Sequence, residues 1–429
     1  MTIKEVVSVY DTPNRYNLST KDSDQRFRFS QNYFYFSISN AFKLTHSNFK
    51  DAKKQNKNII YEIGTTQGPY WWLGDLNKDY PNLIHMFDLI HQQQPKLFKL
   101  TNTKKAVIHI DQTLEGFPLL DSINKKDYYR SIHNKIDQYN INPEQIIYST
   151  SNLIENKKYQ MWCNANNIKK RMRIVDQMFF AEMSRGHHFF QSTKSGSEVT
   201  VDEHLDFKNN NHVKTFSCLN RVIRQHRIAL LAMLNYYDLI EGSELSFDVY
   251  DNHYLDTKTF KNHNAFNKTN LDNIKSKVPL TVDVSDFTVN KAQHFLKSTY
   301  LNTWYSIITE TYFQDHYKDS VFFSEKIFKP MRAMHPFILV CQPHALKTLK
   351  TFGFKTFSDF WDESYDSIED PVQRLDAICK LASSLNKKSK SEWLSMYSDM
   401  RSVLEHNYEH LTNTQWVNYD SVLKDLYNV

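Results

Sequence analysis

The residues best suited to chemistry fall in two stretches of the second half of the chain. Residues 321–337 read VFFSEKIFKPMRAMHPF, a strand followed by a helix start, since Ser324 is a favoured N-cap and Glu325 suits a first turn. The unpaired N–H groups of a helix start attract an anion, and Lys326 and Lys329 add two cations at the same end. Glu325 would repel a phosphate, but a carboxylate can accept two hydroxyls of a ribose. Phosphate capture beside hydroxyl capture is what a nucleoside diphosphate requires. Residues 217–227, SCLNRVIRQHR, set Arg221, Arg224 and Arg227 at i, i+3 and i+6 directly after another strand, which on a helix is one face. Their guanidinium forks match phosphate oxygens and keep their charge, so they suit a diphosphate leaving group. A plainer reading fits both stretches equally: surface helix starts with solvated charges.

In the first half the candidates are carboxylates at strand ends. AVIHID at 106–111 ends in Asp111, and Glu115 follows in DQTLEGFP; either could deprotonate an acceptor hydroxyl, with Asp111 the first choice. Glu62, at the end of IIYEI, is a rival, whereas His109 inside its strand reads as a hydrogen-bonded core histidine. Residues 64–74, GTTQGPYWWLG, offer Tyr70, Trp71 and Trp72 as a stacking platform for an acceptor, or as an aromatic plug. Asp22-Ser23-Asp24 has the spacing of metal ligands but lies in a polar segment and reads as a solvated turn. The adjacent His187 and His188 cannot easily chelate together from a strand, so no metal is expected. P-loop, dinucleotide, HExxH and GxSxG motifs are absent, which leaves P-loop hydrolysis, hydride transfer, zincin and hydrolase chemistry without support.

These residues need a scaffold, and the hydropathy pattern supplies one. Short apolar runs at 59–63, 106–111, 145–150 and 171–175 alternate with helical periods at 126–140 and 155–167. The first sixty residues are polar and aromatic, with 40–58 read as a helix and a basic loop. The rhythm repeats from 214, with strands at 214–218, 245–249, 304–310 and 336–341 and helices at 224–239, 324–334 and 371–386. Strand and helix alternating at this spacing predict parallel α/β domains, whose ligands bind beyond the carboxyl ends of the strands. Residues 192–211 (STKSGSEVTVDEHLDFKNNN) lack either period and read as the linker. The expected division is a first α/β domain over 1–205, a second over 212–400 that carries the diphosphate-binding candidates, and a helical tail over 401–429 packing back on the first domain. The fold class is α/β, with two Rossmann-like domains facing across a cleft.

Composition agrees with an ordinary globular chain of 429 residues: 40% hydrophobic, 24% charged and 14% aromatic, with only 8 glycines. Lys and Arg number 53 against 48 Asp and Glu, a surplus of +5 that permits an anionic ligand without marking a dedicated nucleic-acid coat. Basic runs at Lys53–Lys57, Lys104-Lys105 and Lys169–Arg173 could contact a nucleic-acid backbone, although each taken singly reads as a solvated face. Cys163, Cys218, Cys341 and Cys379 form no CxxC and suit a reducing compartment, so a cytoplasmic location is expected. No apolar window of about 18 residues exists, and neither a membrane span nor a signal peptide is expected.

Taken in order, CLNRVIRQHR (218–227), SIITET (306–311), FFSEKIFKPMRAMHPFILV (322–340) and LKTLKTFGFKTFSDFWDESYD (346–366) resemble GT-B glycosyltransferases. The likeness is to a viral and bacterial branch whose C-terminal domain is similar to the fucosyltransferase and exostosin families. The resemblance implies a nucleotide-diphosphate sugar as co-substrate, with no separate cofactor. Glu325 would hold the ribose, while Lys326, Arg221 and Arg224 neutralise the diphosphate. Asn220, Arg227, Glu310, Ser324 and Lys329 fall in the same matching segments and complete the donor-binding set. It implies inversion without a metal, and leaves the acceptor open among a hydroxymethylated base in phage DNA, a glycan and a protein. The alternative is a binding protein for nucleotide sugar or nucleic acid that keeps the fold without catalysis. Oligomeric state is left open.

Overall fold

The computed structural model describes residues 4–9, 42–47, 49–54, 56, 58–64, 83–113, 115–122, 125–185, 198–220, 222–250, 257–260, 263–282, 295–314, 319–417 and 419–427. The chain forms two compact units. Unit 1 comprises 1–179, 318–322 and 415–429, and unit 2 comprises 180–317 and 323–414.

Unit 1 is built on a parallel sheet of six strands in the order β2-β1-β3-β4-β7-β8. They are β1 (Lys4–Val9), β2 (Phe42–Ser47), β3 (Asn58–Gly64), β4 (Ala106–Gln112), β7 (Ile146–Thr150) and β8 (Arg173–Asp176). Helices α1 (Phe49–Lys54), α2 (Leu83–Gln93), α3 (Pro95–Asn102), α4 (Tyr128–Gln138) and α5 (Glu155–Ala165) connect them. A small antiparallel pair, β5 (Leu120–Asp121) with β6 (Lys126–Asp127), stands apart. Alternate strand residues point to opposite faces. Ile59, Tyr61, Ile108, Ile110 and Tyr148 therefore join Ala52, Phe98, Ile132 and Trp162 from the helices in one core. Ile60, Val107 and Ile147 face the other way, onto Val417, Tyr419 and Leu426 of the C-terminal segment. With both faces covered, all seven residues of β4 are buried, which is why Ala106, Val107 and Ile108 run on without the polar alternation of a half-exposed strand.

Residues 40–58 differ from their expected helix and basic loop. Phe42–Ser47 pairs along its length with β1, and the helix is confined to Phe49–Lys54. The run FKLTHS is short and four of its six residues are polar, so its strand character comes from pairing rather than from pattern.

Unit 2 holds a four-stranded parallel sheet in the order β10-β9-β11-β12. The strands are β9 (Lys214–Leu219), β10 (Glu244–Ser246), β11 (Thr303–Thr309) and β12 (Phe337–Val340). Within the expected linker, 201–210 instead form helix α6 (Val201–Asn210), opened by a capping box in which Thr200 and Glu203 bond each other's backbone N–H, while 192–197 lie outside the described residues. Its inward stripe is Val201, His204 and Lys208, so polar composition hid a helical period. Lys208 is fully buried and donates to the carbonyls of Tyr300 at 2.9 Å, Leu301 at 3.0 Å and Thr303. Three carbonyl partners satisfy all three ammonium protons, which is the condition for burying a lysine. Helices α7 (Gln225–Tyr236), α8 (Glu325–Arg332) and α9 (Pro371–Leu385) complete the part of the unit that positions the site. Among the described residues no helix is long and apolar enough to cross a membrane.

Candidate functional site

The parallel strands of unit 2 end at one edge, and the donor-binding candidates collect there. Beyond β11 comes Glu310, fully buried, whose carboxylate accepts from the Ser324 N–H at 3.2 Å and the Ser324 hydroxyl at 2.6 Å. Burial pushes the Glu310 carboxyl up. Ser324 in turn accepts from the Lys326 N–H at 3.4 Å and caps α8 as its sequence requires. The end of one strand thus fixes the start of the helix that follows the next segment of chain. Glu310 belongs to the expected donor-binding set without a particular part in it; its chemistry here is to anchor the cap.

Glu325 opens α8 with its side chain 13% exposed, and the Lys326 ammonium lies 3.1 Å from its Oε1 and 3.0 Å from Ser324 Oγ. Burial would raise the Glu325 carboxyl, yet Lys326 and Lys329 hold it below the usual range, so it stays ionised. An ionised carboxylate at this position can accept hydroxyl protons.

From β9, Asn220 is buried and its Oδ1 accepts from the Thr309 hydroxyl, tying the ends of two neighbouring strands. Arg224 is the N-cap of α7, in extended conformation, and its Nε is buried with no hydrogen-bond partner. Arg227 is 3% exposed and donates inward, to the carbonyls of Val222 at 2.8 Å and Thr309 at 3.2 Å. Burial and the neighbouring Arg224 push its guanidinium down to about 10. The expectation of one helical face shared by three arginines is therefore corrected. The helix starts only at Gln225, so Arg224 precedes it, while Arg227 is spent on backbone carbonyls and Arg221 lies outside the described residues. His226, which sequence reasoning passed over, lies 3.1 Å from the Glu310 carbonyl through Nε2 and stacks on Phe313 at 5.3 Å. It braces the same strand end.

Unit 1 brings a second set to the carboxyl edge of its own sheet. Asp111, the last but one residue of β4, accepts from Thr113 through N–H at 3.0 Å and Oγ1 at 2.7 Å. Glu115 follows, half-buried, its N–H bonded to the Gln112 carbonyl at 3.3 Å. The rival Glu62 is engaged: its Oε2 lies 2.6 Å from His109 Nδ1, and His109 Nε2 lies 2.8 Å from Ser149 Oγ. Tyr419 donates to Ser149 at 2.7 Å, and Gln177 donates to Tyr419 at 2.9 Å. Against the burial that would lower it, the Glu62 carboxylate keeps the His109 ring raised. This row is a satisfied polar seam inside the core, as read for His109 from sequence. Two further acids were not singled out. Burial pushes Asp176, at the end of β8, and Glu155, at the start of α5, up to about 7. Tyr70, Trp71 and Trp72 lie outside the described residues. Among the described residues, no three His, Cys, Asp or Glu side chains are grouped to hold a metal ion.

No protein-family model matches the sequence, and no curated protein matches it significantly, so the resemblance over 218–366 rests on its motifs alone. Among solved structures, the chain is similar to the N-terminal domain of Candida albicans trehalose-6-phosphate phosphatase, at 8% identity and a TM-score of 0.44, covering 100% of this chain and 97% of that one. It is similar to a T4 phage BGT mutant in complex with UDP-glucose, at 8% identity and a TM-score of 0.38, covering 99% of each chain. It is similar to Phytolacca americana UGT2 complexed with UDP-2fluoro-glucose and pterostilbene, at 8% identity and a TM-score of 0.36, again covering 99% of each. At this depth of similarity, chemistry has to be read from the residues themselves.

Proposed function

We propose that the protein is a glycosyltransferase of GT-B type that moves a sugar from a nucleotide diphosphate to an acceptor hydroxyl. The observation that carries this is that two helix starts stand at the carboxyl edge of the unit 2 sheet: Arg224 caps α7 just beyond β9, and Glu325 with Lys326 opens α8, whose cap is tied to Glu310 beyond the neighbouring β11. Glu325 takes the ribose hydroxyls. Arg224 and Lys326, with Arg221, take the diphosphate as its charge grows on departure of the sugar. Asn220, Arg227, Glu310 and Ser324 hold these groups in place, and Lys329 keeps Glu325 ionised. Asp111 is the first choice for the base that deprotonates the acceptor, Glu115 the second, and attack from the opposite side of the sugar inverts the anomeric centre. The acceptor is a hydroxyl on a DNA base or on a glycan.

A thermal-shift screen against UDP, GDP, ADP and CMP tests the donor site. Stabilisation by one diphosphate that disappears in Glu325→Ala supports the transferase. Indifference to all four sinks it.

A further inference from the structure

The three basic runs, unremarkable one at a time, converge in the fold. Lys53 and Lys54 close α1 just before β3, Lys104 and Lys105 immediately precede β4, and Lys169 and Lys170 precede β8. All three strands are parallel, so these lysines share the amino edge of the unit 1 sheet. Register supports the placement. The Ile59 N–H bonds the Lys105 carbonyl at 2.9 Å, and Arg173 Nε bonds the carbonyl of Glu144 before β7 at 3.2 Å. Strands β3, β4, β7 and β8 are neighbours, so the row spans about 14 Å at the usual strand spacing. Lys96 and Lys99 of α3 extend it, and all eight lysines are exposed.

Charge along this edge is poorly balanced. Its acids are Asp51, 4.0 Å from Lys54, with Asp137 and Glu144. Eight lysines less three acids leave a surplus of five, equal to the formal +5 of the whole chain. The arginines nearby do not add forks to the row. Arg171 bonds Gln160 and Asn164, and Arg173 pairs with Asp425. Lys53 and Lys96 stand side by side, each the other's like-charged neighbour, with Lys96 holding the Lys53 ammonium below its ordinary value. Two ammonium groups in contact repel, and a shared anion relieves the repulsion.

We infer that the amino edge of the unit 1 sheet is a docking surface for the phosphate backbone of a nucleic acid. Exposed lysines without arginine forks suit backbone contact that ignores base sequence. The surface is separate from the proposed chemistry: Asp111 sits near the far end of β4, six residues or about 20 Å beyond Lys105. It therefore stands whether or not unit 2 binds a nucleotide sugar.

The test is fluorescence anisotropy with a labelled DNA duplex of about 20 base pairs, titrated between roughly 50 and 200 mM salt. If about four phosphates are contacted, affinity falls about 10²-fold over that range. Replacing Lys53, Lys96, Lys104, Lys105, Lys169 and Lys170 together by Gln is expected to weaken binding at low salt about tenfold or more. A variant with Lys268, Lys275, Lys277, Lys347, Lys355 and Lys387 of unit 2 replaced by Gln removes the same charge elsewhere and keeps the wild-type affinity. Matching thermal melts confirm that both variants fold. Absence of binding at low salt, equal loss in the unit 2 variant, or capture of anionic phospholipid vesicles with the duplex ignored would each overturn the inference.

Discussion

Glu155 and Asp176 at the carboxyl edge of the unit 1 sheet and Glu325 at that of unit 2 go opposite ways. In unit 1, burial pushes Glu155 and Asp176 up to about 7, and the groups bonded to Glu155 are neutral: the Tyr129 hydroxyl, the Asn152 amide and the Leu119 N–H. In unit 2, burial acts on Glu325 in the same direction, but Lys326 and Lys329 overcome it. The difference shows that company, more than depth, decides whether a buried acid keeps its charge. Glu310 makes the same point within unit 2. It bonds the neutral Ser324 and follows the unit 1 pattern, its carboxyl raised. At the unit 2 edge, Glu325 joins near-burial to a carboxyl held below its usual range, which is what a hydroxyl acceptor beside phosphate-binding cations requires.

The largest expected effect separates the roles of the two edges. Asp111→Asn should cut sugar transfer about 10²- to 10⁴-fold while leaving nucleoside-diphosphate stabilisation unchanged. Measuring diphosphate release with DNA and glycan acceptors alongside thermal shift checks both halves. Normal turnover in Asp111→Asn and in Glu115→Gln would break the division of labour. A smaller effect is expected on the unit 2 side. Arg224→Ala removes one charged phosphate contact and should weaken diphosphate binding about 10- to 10²-fold by calorimetry. The smallest effect sharpens the contrast in protonation. Glu155 holds its proton up to about 7 when folded, against 4.5 for an ordinary glutamate, so the folded state binds more protons across that window. The stability this gives is complete below about pH 4.5 and is lost as pH rises through 7, up to about 3 kcal/mol in all. Glu155→Gln cannot titrate, and its melting temperature should fall less than that of the wild type between those pH values.

Much of unit 2's edge was legible because its signals are local. Ser324 before Glu325, after an apolar run and before an amphipathic period, specifies a capped helix within a few residues. The Arg221–Arg227 spacing misled because periodicity cannot locate the first helical residue; α7 begins at Gln225, and burial turns Arg227 inward. The capping box of α6 was present as Thr200 and Glu203, but polar neighbours outweighed it. Lys208 is the reverse case, since nothing in the sequence shows a lysine finding three carbonyls about 90 residues away. Tyr419 completing the Glu62–His109–Ser149 seam is equally non-local. Contacts of that range depend on the assembled fold and leave no spacing to read.

A crystal soaked with the nucleoside diphosphate chosen by the thermal screen tests the central claim most directly. Density is expected with the ribose hydroxyls on Glu325 and the phosphates between Arg224, Lys326 and the start of α8. A nucleotide bound elsewhere, with Glu325 still paired only to Lys326, would contradict it.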